Sequence, residues 1–177
     1  MEEMMITKAG PEDAATLQEI ATQTFTDTFS SYNTPENMQQ YLRVNLSLEQ
    51  LTAELSNPDS AFYFVHFQNK ITGYLKLNFG SAQTELQDEH ALEIERIYVL
   101  REYQGKKVGQ LLYEFAVSIA AQKQLEYIWL AVWENNKRAI SFYEKNGFVS
   151  FDQHLFKLGD DEQTDLMMKK ALTTPAT

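Results

Sequence analysis

The sequence predicts an α/β (α+β) fold, one mixed, mostly antiparallel sheet of about seven strands flanked by about four helices. Three observations predict it. Helical and strand periodicities alternate along the chain, cap and turn residues punctuate them, and no repeat, low-complexity tract or linker interrupts them. With 177 residues, 44% of them hydrophobic and 12% aromatic, the chain can bury one sizeable core and is no disordered segment. Residues 1–172 are therefore read as one domain and 173–177 as a flexible tail.

Each element has its own signal. Residues 4–8 make a short first strand. Gly10-Pro11 opens a helix, since proline is tolerated in a first turn, and Ala14, Leu17, Ile20, Ala21 and Phe25 recur along it at helical spacing. Residues 30–33 break that pattern. Thr34-Pro35-Glu36 reads as an N-cap followed by proline at the first helical position. Ser47 and Gln50 have capping-box spacing and start another helix, which Asn57-Pro58 stops. Residues 61–67, rich in aromatic and β-branched side chains, form a strand; Gln68-Asn69-Lys70 turns the chain and 71–79 returns antiparallel. Residues 80–90 read as a polar loop and 91–100 as a further strand. Val108, Leu111, Leu112, Phe115 and Ile119 mark one face of a helix, followed by a short apolar strand at 127–133. Asn136 caps a helix that ends at Gly147. Residues 148–158 and 164–170 are the last strands, with Asp160-Asp161-Glu162 read as a solvated turn.

Composition excludes several classes. The chain has no cysteine, which removes disulfides, thiolate metal sites and a cysteine nucleophile together. His66, His90 and His154 lack metal-ligand spacing, so no metal is expected. A net charge of -10 disfavours nucleic acid and anionic membrane as partners; it suits a cationic small molecule, or solubility alone. There is no apolar run of the roughly 18 residues that a membrane span needs. The acidic start, with Glu2, Glu3, Glu12 and Asp13, has no apolar stretch of a secretory signal, so a cytoplasmic protein is expected. A homodimer is neither required nor forbidden.

The most informative stretch is Ile97-Tyr98-Val99-Leu100-Arg101-Glu102-Tyr103-Gln104-Gly105-Lys106-Lys107-Val108-Gly109-Gln110. A strand ends, a short loop follows and an amphipathic helix begins. The first-turn N–H groups of a helix have no internal partner and sit at the positive end of its dipole, which suits a phosphate. Arg101, Lys106 and Lys107 add cations here in an otherwise acidic chain, and Lys137 and Arg138 begin the later helix. The spacing is neither that of a P-loop nor G-x-G-x-x-G.

This segment resembles the acetyl-CoA motif of the GNAT N-acetyltransferase superfamily, [QR]-x-x-[GA]-x-[GA], read here as Gln104-x-x-Lys107-x-Gly109 with Lys107 in place of the usual small residue. Downstream, Asn136-Lys137-Arg138-Ala139-Ile140-Ser141-Phe142-Tyr143-Glu144-Lys145-Asn146-Gly147-Phe148 resembles the same family's N-x-x-A-x-x-x-Y-x-x-x-G-F pattern. The two motifs in this order are far more specific than either alone. The resemblance implies a sheet splayed between strands 91–100 and 127–133, with pantetheine in the gap. It also implies acetyl-CoA or coenzyme A bound by Ile97, Tyr98, Val99, Gln104, Gly105, Lys106, Lys107, Val108, Gly109, Gln110, Asn136 and Lys145. Thr24-Phe25-Thr26-Asp27-Thr28-Phe29, Leu92-Glu93-Ile94-Glu95-Arg96-Ile97-Tyr98 and Asp160-Asp161-Glu162-Gln163-Thr164-Asp165-Leu166 look like the PaiA-type branch, associated with N1-acetylation of spermidine and spermine.

The implied chemistry is direct acetyl transfer to a primary amine, a small-molecule acceptor. At neutral pH only about one alkylamine in a few thousand is unprotonated, so a proton must be accepted, and the leaving thiolate must be stabilised. By the resemblance Tyr143 is the acid at the thiol; the alternative is a tyrosine packed beneath its helix. Glu93 and Glu95, two apart on a strand, share a face, and Glu95 is the candidate base, acting through a water or by holding the ammonium. Its alternative is a glutamate paired with Arg96. Phe25, Asp27, Phe29, Tyr32, Tyr74, Trp133 and Phe156, together with Glu93, are the candidate acceptor site, acidic groups for the cation and aromatics for its methylenes. The competing readings are a protein N-terminus, lysine or aminoglycoside as acceptor, and an acetyl-CoA-binding regulator with little catalysis.

Overall fold

The computed structural model describes residues 3–172, so the expected tail at 173–177 lies outside the described residues. The elements follow in the order β1 (Met4–Ala9), α1 (Ala14–Phe29), α2 (Pro35–Asn45), α3 (Leu48–Ser56), β2 (Ser60–Phe67), β3 (Lys70–Phe79), β4 (Ala91–Val99), α4 (Val108–Gln122), β5 (Tyr127–Trp133), α5 (Lys137–Lys145), β6 (Val149–Leu158) and β7 (Asp161–Ala171). All seven strands belong to one sheet, ordered β1-β2-β3-β4-β5-β7-β6. The pairing is antiparallel except between β4 and β5, which run parallel because α4 crosses between them.

Local chemistry sets most boundaries. Thr34 Oγ1 accepts from the N–H of Asn37 and Ser47 Oγ from that of Gln50, each at 3.1 Å, so both caps form. Asn136 Oδ1 caps α5 through the N–H of Ala139 at 3.2 Å. Gln68 and Asn69, at φ 51° and 63°, make the tight β2–β3 turn. The helix expected from Pro11 opens as a 3-10 turn, Pro11–Asp13, before α1 proper. Among the described residues five α-helices form, at the five places where the pattern starts one and one more than the fold class's estimate of about four. Asp161 and Glu162 belong to β7 rather than to a turn, because Gly159, at φ 63°, and Asp160 suffice to reverse the chain.

The sheet is covered on both faces. On one, Leu112, Ala116 and Tyr143 of α4 and α5 close over Leu75, Leu77, Leu92, Ile94 and Leu130. On the other, Leu17, Ala21 and Phe25 of α1 and Leu51 of α3 close over Phe62, Phe64 and Tyr74. A Cβ at Gly159 would collide with the Asn37 side chain, so a glycine there lets α2 sit against the β6–β7 hairpin. That contact roofs part of the cavity described next.

Candidate active site

β4 and β5 pair only at Ala91↔Tyr127, Leu92↔Ile128 and Glu93↔Trp129. β4 stays paired with β3 as far as Val99, and β5 with β7 as far as Trp133. Past Glu93 the two strands therefore part, each leaving an open edge toward the other. The cause lies in β4: Lys76 opposes Arg96 but Leu77 opposes Ile94, so Glu95 is the extra residue of a bulge. A bulge bends its strand and re-aims its side chains. The gap opens into a cavity of about 1050 Å³ with two arms, one toward the start of α4 and the other beneath α1 and α2.

The first arm is lined by Ile97, Tyr98, Val99, Gln104, Gly105, Lys107, Gly109, Gln110 and Asn136. Gly105 at φ 82° and Lys107 at φ 67° turn the chain into α4. For lysine that left-handed conformation costs about 1–2 kcal/mol, which is why a small residue suits the position. The first helical bond is from Leu111 N–H to Lys107 O, at 3.0 Å. Among the described residues the N–H groups of Val108, Gly109 and Gln110 have no partner. A Cβ on Gly109 would meet only Val99 Cγ2, at 3.9 Å, so its backbone is open rather than crowded. Gln104 Nε2 donates to Val99 O at 3.2 Å while its Oε1 accepts from Arg138 at 2.7 Å, tying β4 to α5 at the mouth of the gap. Two expected cofactor contacts stand apart: Lys106 lies over the Tyr103 ring, and Lys145 in the last turn of α5 does not line the cavity. The Val108 side chain is buried in the core, so this residue offers only its N–H. A free row of N–H groups followed by an unpaired strand edge fits a polyphosphate followed by an amide chain.

Where the arms meet stands Tyr143, 7% exposed and packed on Phe142 and Phe148. Among the described residues no hydrogen bond engages its hydroxyl. Burial pushes the phenol well above its ordinary range, so it stays protonated at neutral pH and has an O–H to donate.

The second arm is lined by Phe25, Phe29, Tyr41, Trp133 and Phe156, with Phe25 stacked on Tyr41 at 4.0 Å. Glu93 and Glu95 both reach it and share Asn78 Nδ2, at 2.9 and 2.8 Å. Their environments differ. Burial raises Glu93, against hydrogen bonds from Thr84 and Asn78. Burial would raise Glu95 too, but Arg96 and then Lys76 pull it down to about 2. Lys76 Nζ sits 2.8 Å from Glu95 and 2.7 Å from Glu54 of α3, and Arg96 bridges the same two carboxylates at 3.2 and 3.3 Å. This arrangement weighs against Glu95 as a proton acceptor and favours it as the group that fixes Lys76 and Arg96.

Three expected acceptor residues lie elsewhere. Asp27 faces away from the cavity, its carboxylate bonded to Gln23 and its carbonyl to Arg101. Tyr32 is 59% exposed, edge-on to Trp133. Tyr74 is sealed in the core under Tyr98. Each was placed by its sequence neighbours, and helical or strand alternation turned it off the cavity. Conversely, Tyr41, Thr84, Glu85, His154 and Asp165 line the arm and were not singled out as acceptor residues, although Asp165 lies in a segment that carries the PaiA-type resemblance. They come from α2, the 80–90 loop, β6 and β7, which only the fold brings together.

A profile of the acetyltransferase (GNAT) family matches residues 15–148. The chain belongs to the GNAT family of N-acetyltransferases. An uncharacterised N-acetyltransferase from the pepI 3′ region of Lactobacillus delbrueckii subsp. lactis is 40% identical over 167 residues, covering 94% of this chain and 96% of the relative. A spermidine N(1)-acetyltransferase of Thermoplasma acidophilum is 29% identical over 169 residues, covering 93% and 95%. The crystal structure of the PaiA N-acetyltransferase from Thermoplasma acidophilum in complex with coenzyme A superposes with a TM-score of 0.79 at 28% identity, over 96% of this chain and 99% of that one. The expected fold, including the splay, and the expected use of acetyl-CoA by this GNAT enzyme hold. Among the described residues no helix is long and apolar enough to cross a membrane.

Proposed function

We propose that this GNAT enzyme acetylates a primary amine of a small polycation of the spermidine and spermine class. The observation that carries the reading is the second arm, where carboxylates from β4, β7 and the 80–90 loop alternate with Phe25, Tyr41, Trp133 and Phe156. Carboxylates hold ammonium groups, and aromatic walls take the methylenes between them. The spermidine acetyltransferase relative supports the same class. Acetyl-CoA, when bound, supplies the activated acetyl thioester and the thiol leaving group.

The residues then divide the work. The N–H groups of Val108, Gly109 and Gln110 hold phosphate, and the open edge of β4 from Ile97 to Val99 aligns the rest of the cofactor. Tyr143 donates its hydrogen bond to the departing sulfur. The dry surroundings that keep its phenol protonated also make a thiolate more basic, so the two stay matched. Glu93, raised by burial, accepts the ammonium proton directly or through one water, and its Oε2 keeps a lone pair beyond the 2.6 Å bond from Thr84. Lys76 and Arg96, neutralised by Glu54 and Glu95, hold β4 in its bulged shape. Acetyl-CoA chemistry belongs to the cytoplasm, and so does the protein on this reading.

The test is release of free coenzyme A with spermidine, spermine, amino acids, N-terminal peptides and aminoglycosides offered in parallel. Polyamines are expected to give the highest kcat/KM. A preference for peptides or aminoglycosides would replace the acceptor, and no release with any amine would favour a regulator.

A further inference from the structure

We infer that His154 is a specificity-determining residue of the second arm, whose ring holds the place between Glu85 and Asp165 that a second ammonium of the acceptor takes. The inference rests on the polyamine reading above. His154 Nδ1 lies 2.6 Å from Glu85 Oε2, and its Nε2 lies 3.4 Å from Asp165 Oδ2. The three side chains come from β6, the 80–90 loop and β7, and all line the cavity. Asp165 Oδ1 is buried without a hydrogen-bond partner, so this carboxylate has acceptor capacity the fold does not use. Burial raises the Asp165 carboxyl, and the nearby imidazole opposes that rise.

Glu85 is presented rather than merely exposed. The two residues before it are pinned. Gln83 Oε1 accepts from Trp129 Nε1 at 2.6 Å, and Thr84 donates through both N–H and hydroxyl to Glu93. The Glu85–His154 pair thus crosses from the β4 side of the splay to the β6–β7 side.

Charge balance singles out this spot. On the β4 wall, Lys76 and Arg96 offset Glu54 and Glu95, leaving little field for a ligand cation. At Glu85 and Asp165 two carboxylates face a single histidine, while Lys157 lines the cavity further along β6 and Tyr41 faces in from α2. Histidine changes charge between about pH 5 and 8, whereas an alkylammonium, near ~10.4, keeps its charge there. When His154 loses its proton, both carboxylates become free for an ammonium. Acceptor affinity therefore rises with pH, and acceptor binding at lower pH expels a proton to solvent.

The test uses the enzyme with coenzyme A, which carries no acetyl group and so allows binding without turnover. Spermidine is titrated in by calorimetry in buffers of different ionisation heat, and the ring signals of the three histidines are followed by NMR. The His154 titration midpoint is expected to fall by about one pH unit on saturation, with up to about half a proton released per spermidine. Between about pH 6 and 8 the Kd for spermidine should improve about tenfold, and His154→Gln should flatten that dependence to within about twofold. Propylamine, with one ammonium, should release no proton. Spermidine binding that leaves the His154 titration unchanged overturns the inference even if the variant fails to fold, because the wild type decides it. Turnover of spermidine in that case leaves the polyamine reading standing; absence of both spermidine binding and polyamine turnover removes both.

Discussion

The two arms of the cavity are built on different principles. The cofactor arm uses backbone, the first-turn N–H groups of α4 and the open edge of β4. Its parts lie within one continuous stretch from Ile97 to Gln110, with Asn136 and Tyr143 added from one helix. The acceptor arm uses side chains from α1, α2, the 80–90 loop, β4, β6 and β7. A backbone site is specified by where a strand ends and a helix starts, and it tolerates an unusual side chain such as Lys107. A side-chain site needs every contributor to arrive in the right rotamer from a distant segment, so it is where acceptor choice can change while the chemistry stays.

The sharpest way to break this division is at the junction. Tyr143→Phe should lower kcat by about 10²–10⁴-fold while the KM for acetyl-CoA stays within about twofold, measured by steady-state kinetics. Equal losses in both would make Tyr143 part of the binding surface rather than the acid.

Next comes the contrast between neighbouring carboxylates. Glu95→Gln strips the charge that holds Lys76 and Arg96 in a buried network and should cost about 3–5 kcal/mol in denaturant unfolding. Because folding lowers the Glu95 carboxyl from 4.5 to about 2, its contribution is complete above the upper value and fades as pH falls toward the lower one. The gap between variant and wild type should therefore close in strong acid. Glu93→Gln removes a carboxylate that burial already disfavours, so stability should hold or rise while turnover falls about 10–100-fold. A stable Glu95→Gln protein, or an active Glu93→Gln enzyme, would reverse the two roles.

The smallest effect is expected at the left-handed loop residue. Lys107→Gly should add about 0.5–1 kcal/mol of stability, the relieved strain less the entropy glycine loses on folding. The KM for acetyl-CoA should change less than about threefold if backbone N–H groups carry phosphate binding. A loss beyond about tenfold would assign that work to the lysine ammonium instead.

The fold was largely legible because its signals are short-range. Caps at Thr34, Ser47 and Asn136, the turn at Gln68 and Asn69, and the apolar face of α4 each follow from spacing within one or two turns of chain. The 3-10 opening at Pro11 and the early start of β7 were misplaced because they lie at element ends, where a few residues' conformation moves the boundary. At the site, Gln104, Gly109, Asn136 and Tyr143 were legible for the same reason. Asp27, Tyr32 and Tyr74 were misplaced because chemical type does not say which way a side chain faces.

The sequence by itself determined that this chain has a strand–loop–helix able to hold phosphate, a tyrosine on a capped helix after it, and a mixed sheet to carry both. Tertiary structure alone decided that Glu95 is the bulge residue of β4 and is committed to Lys76 and Arg96, and that Glu93 has no cation paired with it among the described residues. It alone brought Glu85, His154 and Asp165 to one wall. The physical reason is that charge and proton affinity depend on what stands within a few ångströms in a buried place, and those neighbours come from segments far apart in the chain.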